Sequence, residues 1–197
     1  MPDPDTIRVY DDRAGEYAAM SAGWNARDPW LAAFIAACPP GGRVLDLGCG
    51  PGTSAALMAR AGLRVEAVDA SAEMVARAGA HPGVAARQAG FDDIAGVAVH
   101  DGAWAHFSLL HAPRADMPRH LAAIRRALKP GGVFFVALKL GEGEARDRLG
   151  RFYAYYSEAE LDRLLAAAGF SLLDRRFGSG AGLDGTVSDW IAVAARA

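Results

Sequence analysis

The sequence predicts an α/β fold: a doubly wound, mostly parallel sheet of seven strands, with an antiparallel hairpin at its C-terminal edge and a helical cap at its N-terminus. Three observations predict it. Short branched-aliphatic runs bounded by turn residues alternate with helix-prone segments, as buried parallel strands and their crossovers do. The first of these runs, "RVLDL", opens directly into a turn holding Gly48, Gly50 and Gly52. The last two runs, "FSLLDRRF" and "VSDWIAVAAR", follow one another with only a Gly-rich loop, 178–186, between them.

In chain order, residues 1–40 read as a helical segment, with one helix at "DPWLAAFIAAC" capped by Asp28, led by Pro29 and stopped at Pro39-Pro40-Gly41-Gly42. "RVLDL" and "LRVEAVD" are strands, and "TSAALMARAG" between them is a helix closing on Gly62. "SAEMVARAG" is the next helix, and "GVAARQ" a weaker third strand. "GAWAHFSLL" is the fourth strand. Leu121, Ile124 and Leu128 then fall at helical spacing behind an Asp116 cap, before a break at Lys129-Pro130-Gly131-Gly132. "GVFFVALKL" is the most strand-like run of all. Ser157 and Glu160 form a capping box ahead of Leu161, Leu164 and Leu165, and Gly169 ends that helix. The expected organisation is a single domain over 1–197: the cap over 1–40, the α/β core over 41–197, and a lid-like insertion near 139–157.

Composition narrows the function. Of 197 residues 52% are hydrophobic and 22% charged, and the formal net charge is −2, which suits a soluble globular protein and offers no basic footprint for nucleic acid. Cys38 and Cys49 lack metal or disulfide spacing, so no metal site is expected and a reducing, cytoplasmic setting is the simple reading. The acidic start "MPDPDTIRVYDDRAGEY" is unlike a signal peptide, and no run approaches the ~20 apolar residues of a membrane span.

The chemistry concentrates between Val44 and Ser71. Glycines at 48, 50 and 52 permit a sharp turn and let a ligand approach the backbone at the carboxyl ends of the strands. Thr53 stands where a phosphate-binding G-x-G-x-x-G would place its third glycine, and no lysine serves a Walker loop. Asp46 sits inside the first strand, where a carboxylate is costly without a partner, and a ligand ammonium is one such partner. Asp69 ends the second strand, where an acid accepts both hydroxyls of a ribose.

"VLDLGCGPG", "VEAVDAS", "HDGAWAHFSLLHAPR" and "ALKPGGVFFVALK", in that order and spacing, resemble the class I S-adenosylmethionine-dependent methyltransferases, from about Tyr10 to the C-terminus. The resemblance implies a Rossmann-like sheet, S-adenosyl-L-methionine as cofactor and methyl transfer to a small-molecule acceptor by in-line displacement. It further implies that Asp46 orients the loop and the methionyl amine, that Gly48, Cys49, Gly50 and Gly52 form the methionyl loop, and that Asp69 takes the ribose. Ala70 and Met74 would flank the adenine and Phe91 its other side. Asp92 would replace an acid commonly found near Gly90. His106 and Phe107 would meet the methionyl part from the fourth strand, and Tyr10 and Tyr17 would fold over the cofactor from the N-terminal segment. Where the acceptor would lie, His111, Arg114 and Tyr153 are the substrate-site candidates. His111 is suited to a base by its ordinary pKa of about 6.5, but no residue is assigned as catalytic. The alternatives are a non-catalytic S-adenosylmethionine-binding sensor or scaffold and, behind it, an NAD-dependent oxidoreductase. Trp190 reads as core, and the charge run 142–151 as a solvated loop.

Overall fold

The computed structural model describes residues 2–25 and 28–197. Three helices, α1 (Pro4–Asp12), α2 (Ala14–Asn25) and α3 (Pro29–Ala37), precede the first strand. Asp28 caps α3 by accepting the Trp30 N–H at 2.9 Å, with Pro29 at the first helical position. The βα units follow: β1 (Arg43–Leu47), α4 (Thr53–Arg60), β2 (Arg64–Asp69), α5 (Ala72–Gly79), β3 (Val84–Gln88), β4 (His100–His106), α6 (Met117–Ala127) and β5 (Leu128–Lys139). Then come a small hairpin of β6 (Glu144–Arg146) and β7 (Phe152–Ala154), helix α7 (Glu158–Ala167), and the closing pair β8 (Ser171–Ala181) and β9 (Val187–Arg196).

The seven-stranded sheet runs β3-β2-β1-β4-β5-β9-β8, parallel from β3 to β5, with β9 antiparallel to both β5 and β8. This is the doubly wound fold the sequence predicts. Strand order reverses between β1 and β4, so the chain leaves their carboxyl ends in opposite directions and opens a crevice after Leu47 and His106. Alternation along β5 serves two cores. Phe134, Val136 and Leu138 pack toward α6 and α7, whereas Val133, Phe135 and Ala137 pack with α3 and α4.

Three local readings are corrected. Lys129-Pro130-Gly131-Gly132 does not break the chain: β5 begins at Leu128, which is strand and not helix, and the ladder with β4 absorbs the irregularity as a register shift between His100 and Gly102. The fourth strand ends at His106, because Phe107 turns into the left-handed region (φ 55°) and Leu109–His111 form a 3-10 turn. Residues 178–181 belong to β8, not to a loop. A Cβ at Gly178 would stand 2.2 Å from the Trp190 ring, so the glycine is what lets the indole lie across its neighbouring strand.

Candidate active site

Two cavities open at the reversal of strand order, and they share a wall. The smaller is bounded by the loops after β1 and β2, by Ala89–Phe91, by the turn after β4, and by α1 laid across its mouth. The larger, about 640 Å³, lies between α3, β4, β5, the 151–153 segment and the β8–β9 hairpin. Tyr10, Tyr17, His106 and Phe107 line both.

The glycine loop is set by backbone. Gly48, Gly50 and Gly52 all have positive φ, at 66°, 53° and 80°. Gly48 and Cys49 donate to the Val68 carbonyl at 2.8 and 3.0 Å, which ties the loop to β2. A Cβ on Gly48 would lie 2.3 Å from Ser108 Cβ, so two backbones meet here with no room for a side chain. Asp69 holds the far side: its Oδ2 accepts the Gly50 N–H and its Oδ1 the Ser71 N–H, each at 2.9 Å. Each carboxylate oxygen keeps a further lone pair, and Asp69 faces the smaller cavity.

Two polar atoms beside this loop have no partner among the described residues. Asp46 is 2% exposed with Oδ2 unsatisfied, and Ser108 Oγ, on the cavity wall, is unsatisfied too. Burial, reinforced by the Asp69 charge and opposed by the Ala55 backbone N–H, pushes Asp46 up to about 8. Burial likewise raises Asp69, against the N–H groups of Ser71, Gly50 and Ala70. A nearby cation would relieve both carboxyls. A buried acid with one unsatisfied oxygen, an unsatisfied hydroxyl and a second acid with lone pairs to spare therefore fit a ligand with a positive charge and vicinal hydroxyls.

Of the residues singled out from sequence, Tyr10, Tyr17, Gly48, Gly50, Asp69, Ala70, Met74, Phe91, His106, Phe107 and His111 meet on the walls of the smaller cavity. Asp46, Cys49 and Gly52 stand behind it. Gly52 has a packing duty, since a Cβ there would be 2.7 Å from Ala78 in α5. Cys49 is buried, its thiol against the Gly50 carbonyl at 3.5 Å, and burial raises its pKa far above the ordinary thiol value. Asp92 is not on the cavity wall; it pairs with Arg119 at the start of α6. Arg114 lines neither cavity. Its guanidinium reaches the Tyr155 carbonyl and Glu160 and lies 4.7 Å over the Tyr156 ring, fastening the 140–157 segment to α7.

Tyr153 lines the larger cavity, next to a buried polar chain. Arg151, 1% exposed, donates twice to Asp147 Oδ2 (2.9 and 2.6 Å) and once to the Tyr10 hydroxyl (2.9 Å). His111 Nδ1 lies 2.6 Å from the Phe152 carbonyl, which can only accept, so Nδ1 carries the proton. His111 Nε2 then accepts from Tyr10 Oη at 2.9 Å. Burial pushes His111 down to about 4, despite the Phe152 carbonyl, and His106 likewise to about 4. Both imidazoles are neutral at pH 7.

The sequence reading missed several wall residues. Trp190, half-buried and packed against the core cluster of Trp30 and Phe135 as read, also lines the larger cavity. The 142–151 run is not simply solvated, since it supplies the buried Arg151–Asp147 pair. Ser71 caps α5, accepts the Met74 N–H at 3.1 Å and donates to Asp11 at 2.5 Å, which holds α1 against the cavity. The S-x-x-M spacing ahead of a helix carries that cap; nothing local marks Arg151 or Trp190.

Residues 24–174 match the sequence model of a family described as "Methyltransferase domain". The trans-aconitate 2-methyltransferase of Deinococcus radiodurans is 34% identical over 131 residues, covering 62% of this chain and 47% of that protein. An S-adenosyl-L-methionine-dependent Diels-Alderase of Talaromyces variabilis is 37% identical over 115 residues, 53% of this chain and 37% of that one. The chain thus spans about half the length, or less, of these curated relatives. Among solved structures, Burkholderia thailandensis 1,6-didemethyltoxoflavin-N1-methyltransferase, with bound 1,6-didemethyltoxoflavin and S-adenosylhomocysteine, superposes with a TM-score of 0.77 at 25% identity, covering 98% of this chain and 87% of that one.

Proposed function

Because this chain belongs to the methyltransferase-domain family, we propose that it is an S-adenosylmethionine-dependent methyltransferase acting on a small-molecule acceptor. The observation that carries this reading is the shared wall: Tyr10, Tyr17, His106 and Phe107 bound both a cavity suited to the cofactor and a second, larger one. Two ligands seated there would meet across those four side chains.

In this reading Gly48, Gly50, His106 and Phe107 hold the methionyl end, with Asp46, Cys49 and Gly52 shaping the loop from behind. Asp69 takes the ribose hydroxyls, while Ala70, Met74 and Phe91 enclose the adenine. The bound sulfonium supplies an already activated methyl group. The protein's work is then alignment and exclusion of water. Closure comes from α1 and the 140–157 segment, which bond to each other: Thr6 Oγ1 accepts the Phe152 N–H at 2.8 Å and Arg146 pairs with Asp3 at 3.0 Å. That segment is the lid of a single catalytic domain.

His111 does not face the acceptor with a free nitrogen. Its Nε2 is taken by Tyr10 Oη, so an acceptor proton would pass to the Tyr10 oxygen as the Tyr10 proton moves to Nε2. A base depressed to about 4 is weak, which suits an acceptor that arrives with its lone pair available. Cys38 and Cys49, both free and buried, accord with work in the cytoplasm.

Isothermal titration of the wild type and Asp69→Ala with S-adenosylmethionine, S-adenosylhomocysteine and NAD tests the cofactor half. Selective binding of the first two, weakened at least tenfold in the variant, is expected; a preference for NAD would end this reading. A second reading, cofactor binding without methyl transfer, is favoured by the Diels-Alderase relative. Release of S-adenosylhomocysteine on incubation with a mixed acceptor panel separates the two: none across the panel supports the second.

A further inference from the structure

The larger cavity carries a charge for which the proposed reaction has no use. Lys139, the last residue of β5, lines it and is half-buried. Its Nζ lies 4.1 Å from the centroid of the Tyr153 ring. Among the described residues nothing accepts a hydrogen bond from this ammonium or stands within 4.0 Å of it as an ion-pair partner. Burial lowers the Lys139 pKa, and Asp184, in the β8–β9 turn, opposes that from farther away.

Apart from Arg176, the other charges around the cavity are committed. Arg151 is matched by Asp147. Asp28 caps α3, and Asp184 accepts both the Thr186 N–H (3.1 Å) and its hydroxyl (2.8 Å). Arg176 lies at the rim, 55% exposed and 4.9 Å over the Trp30 ring. A partly desolvated ammonium resting on a ring face keeps its N–H donors for a ligand.

The walls say what accompanies the anion. Trp30, Phe107, Phe135, Tyr153 and Trp190 face the cavity, and Ala137 and Ala192 leave space between them. Gly178 flattens the Trp190 side further, as its missing Cβ admits the indole. Flat apolar faces on several sides favour a planar ring over a flexible chain.

Resting on the methyltransferase reading, we propose that the acceptor is a planar aromatic molecule bearing an oxyanion, a carboxylate or a phosphate, and that Lys139 Nζ is the group that holds it. Lys139 is thus a specificity-determining residue. It stays outside the cofactor cavity.

The test is isothermal titration of wild type, Lys139→Met and Lys139→Arg, with and without saturating S-adenosylhomocysteine, using 1-naphthoate, 1-naphthyl phosphate, 1-naphthamide and cyclohexanecarboxylate as probes. At least one naphthyl oxyanion should bind the wild type about tenfold or more tighter than the amide, the preference expected of a charge-assisted contact. Lys139→Met should abolish that preference, Lys139→Arg should keep part of it, and S-adenosylhomocysteine affinity should be unchanged in both. The carboxylate and phosphate arms tell the two oxyanions apart. The proposal is overturned if the amide equals both oxyanions, if neither oxyanion binds at millimolar concentration, if Lys139→Met keeps the preference, or if cyclohexanecarboxylate matches naphthoate. S-Adenosylhomocysteine titrated alone keeps the two failures distinct: its failure to bind sinks the methyltransferase reading, while binding without an oxyanion preference sinks only this inference.

Discussion

The two cavities are built in different ways. Around the smaller one the decisive groups are backbone N–H and C=O groups, glycines and short acids from two consecutive βα turns, within the 24 residues from Asp46 to Asp69. Around the larger one they are long side chains from α1, α3, β5, the 140–157 segment and the final hairpin, separated by up to about 180 residues of chain. The first needs a particular local conformation; the second needs the whole fold in place. A site made of backbone tolerates change in its surroundings but not a Cβ, whereas a site made of side chains can be re-lined without disturbing the sheet.

The largest expected effect breaks the second region. Arg151→Met removes one partner of a buried pair: Asp147, 7% exposed by side chain, loses both donors to Oδ2 and keeps only the Leu149 and Arg151 N–H groups on Oδ1. The Tyr10 hydroxyl loses its Arg151 donor and keeps His111. Such a loss costs about 3–5 kcal/mol. Urea denaturation should show it, and a change below about 1 kcal/mol would mean that the pair is wet and the network around Tyr10 loose. Next, Gly48→Ala strikes the first region. A Cβ at φ 66° and 2.3 Å from Ser108 forces the two loops apart, so S-adenosylhomocysteine affinity should fall by about a hundredfold, with about 1–3 kcal/mol lost in stability. Calorimetry that found wild-type affinity would show that the loop has slack and that the contrast between the regions is wrong.

That contrast also explains what could be read from the sequence. "RVLDLGCGPG" and "VEAVDAS" betray the smaller cavity because positive φ demands glycine and because a strand-end acid is informative wherever it sits. The mostly parallel sheet and the antiparallel pair at its edge were legible for a related reason: branched-aliphatic runs alternating with helix-prone segments have few other solutions. Arg151, Lys139 and Trp190 were not legible as wall residues, since their neighbours are set by long-range packing. Residues 178–181 misled in the opposite sense. Their glycines look like a loop, yet they are strand residues, and Gly178 is small for the indole opposite. Lys129-Pro130-Gly131-Gly132 misled similarly, because a register shift accommodated what usually ends an element.

Tyr10 belongs to both regions and should register in both. Tyr10→Phe keeps the ring against Tyr17 and His111 but leaves His111 Nε2 without its donor and removes an acceptor from Arg151. A stability loss of about 1–3 kcal/mol is expected. Once an acceptor is found, kcat should fall more than S-adenosylhomocysteine affinity, which should stay within about threefold. An equal fall in both would place the hydroxyl in the cofactor site alone.

The effect of pH, small over any single pH unit, is the most diagnostic of how the regions couple to charge. Asp46 stands behind the glycine loop with its carboxyl pushed up to about 8 from an ordinary 3.8. Between those values the folded chain holds a proton that the unfolded chain has released, so this group's contribution to stability falls as pH rises through the window and levels off above about 8. Asn carries no such proton. The stability of wild type minus that of Asp46→Asn should therefore decline from pH 5 to pH 8, by at most about 1.4 kcal/mol per pH unit, in urea titrations at each pH. His111 and His106, both depressed to about 4, act oppositely, their contribution being lost as pH falls from about 6.5 toward 4, but they are common to both proteins and cancel in the difference. Saturating S-adenosylhomocysteine, whose ammonium would favour the Asp46 carboxylate, should flatten the slope even though Asp46 does not touch the cavity. A slope that S-adenosylhomocysteine leaves unchanged would detach Asp46 from the ligand's charge and leave it as a loop-shaping residue only.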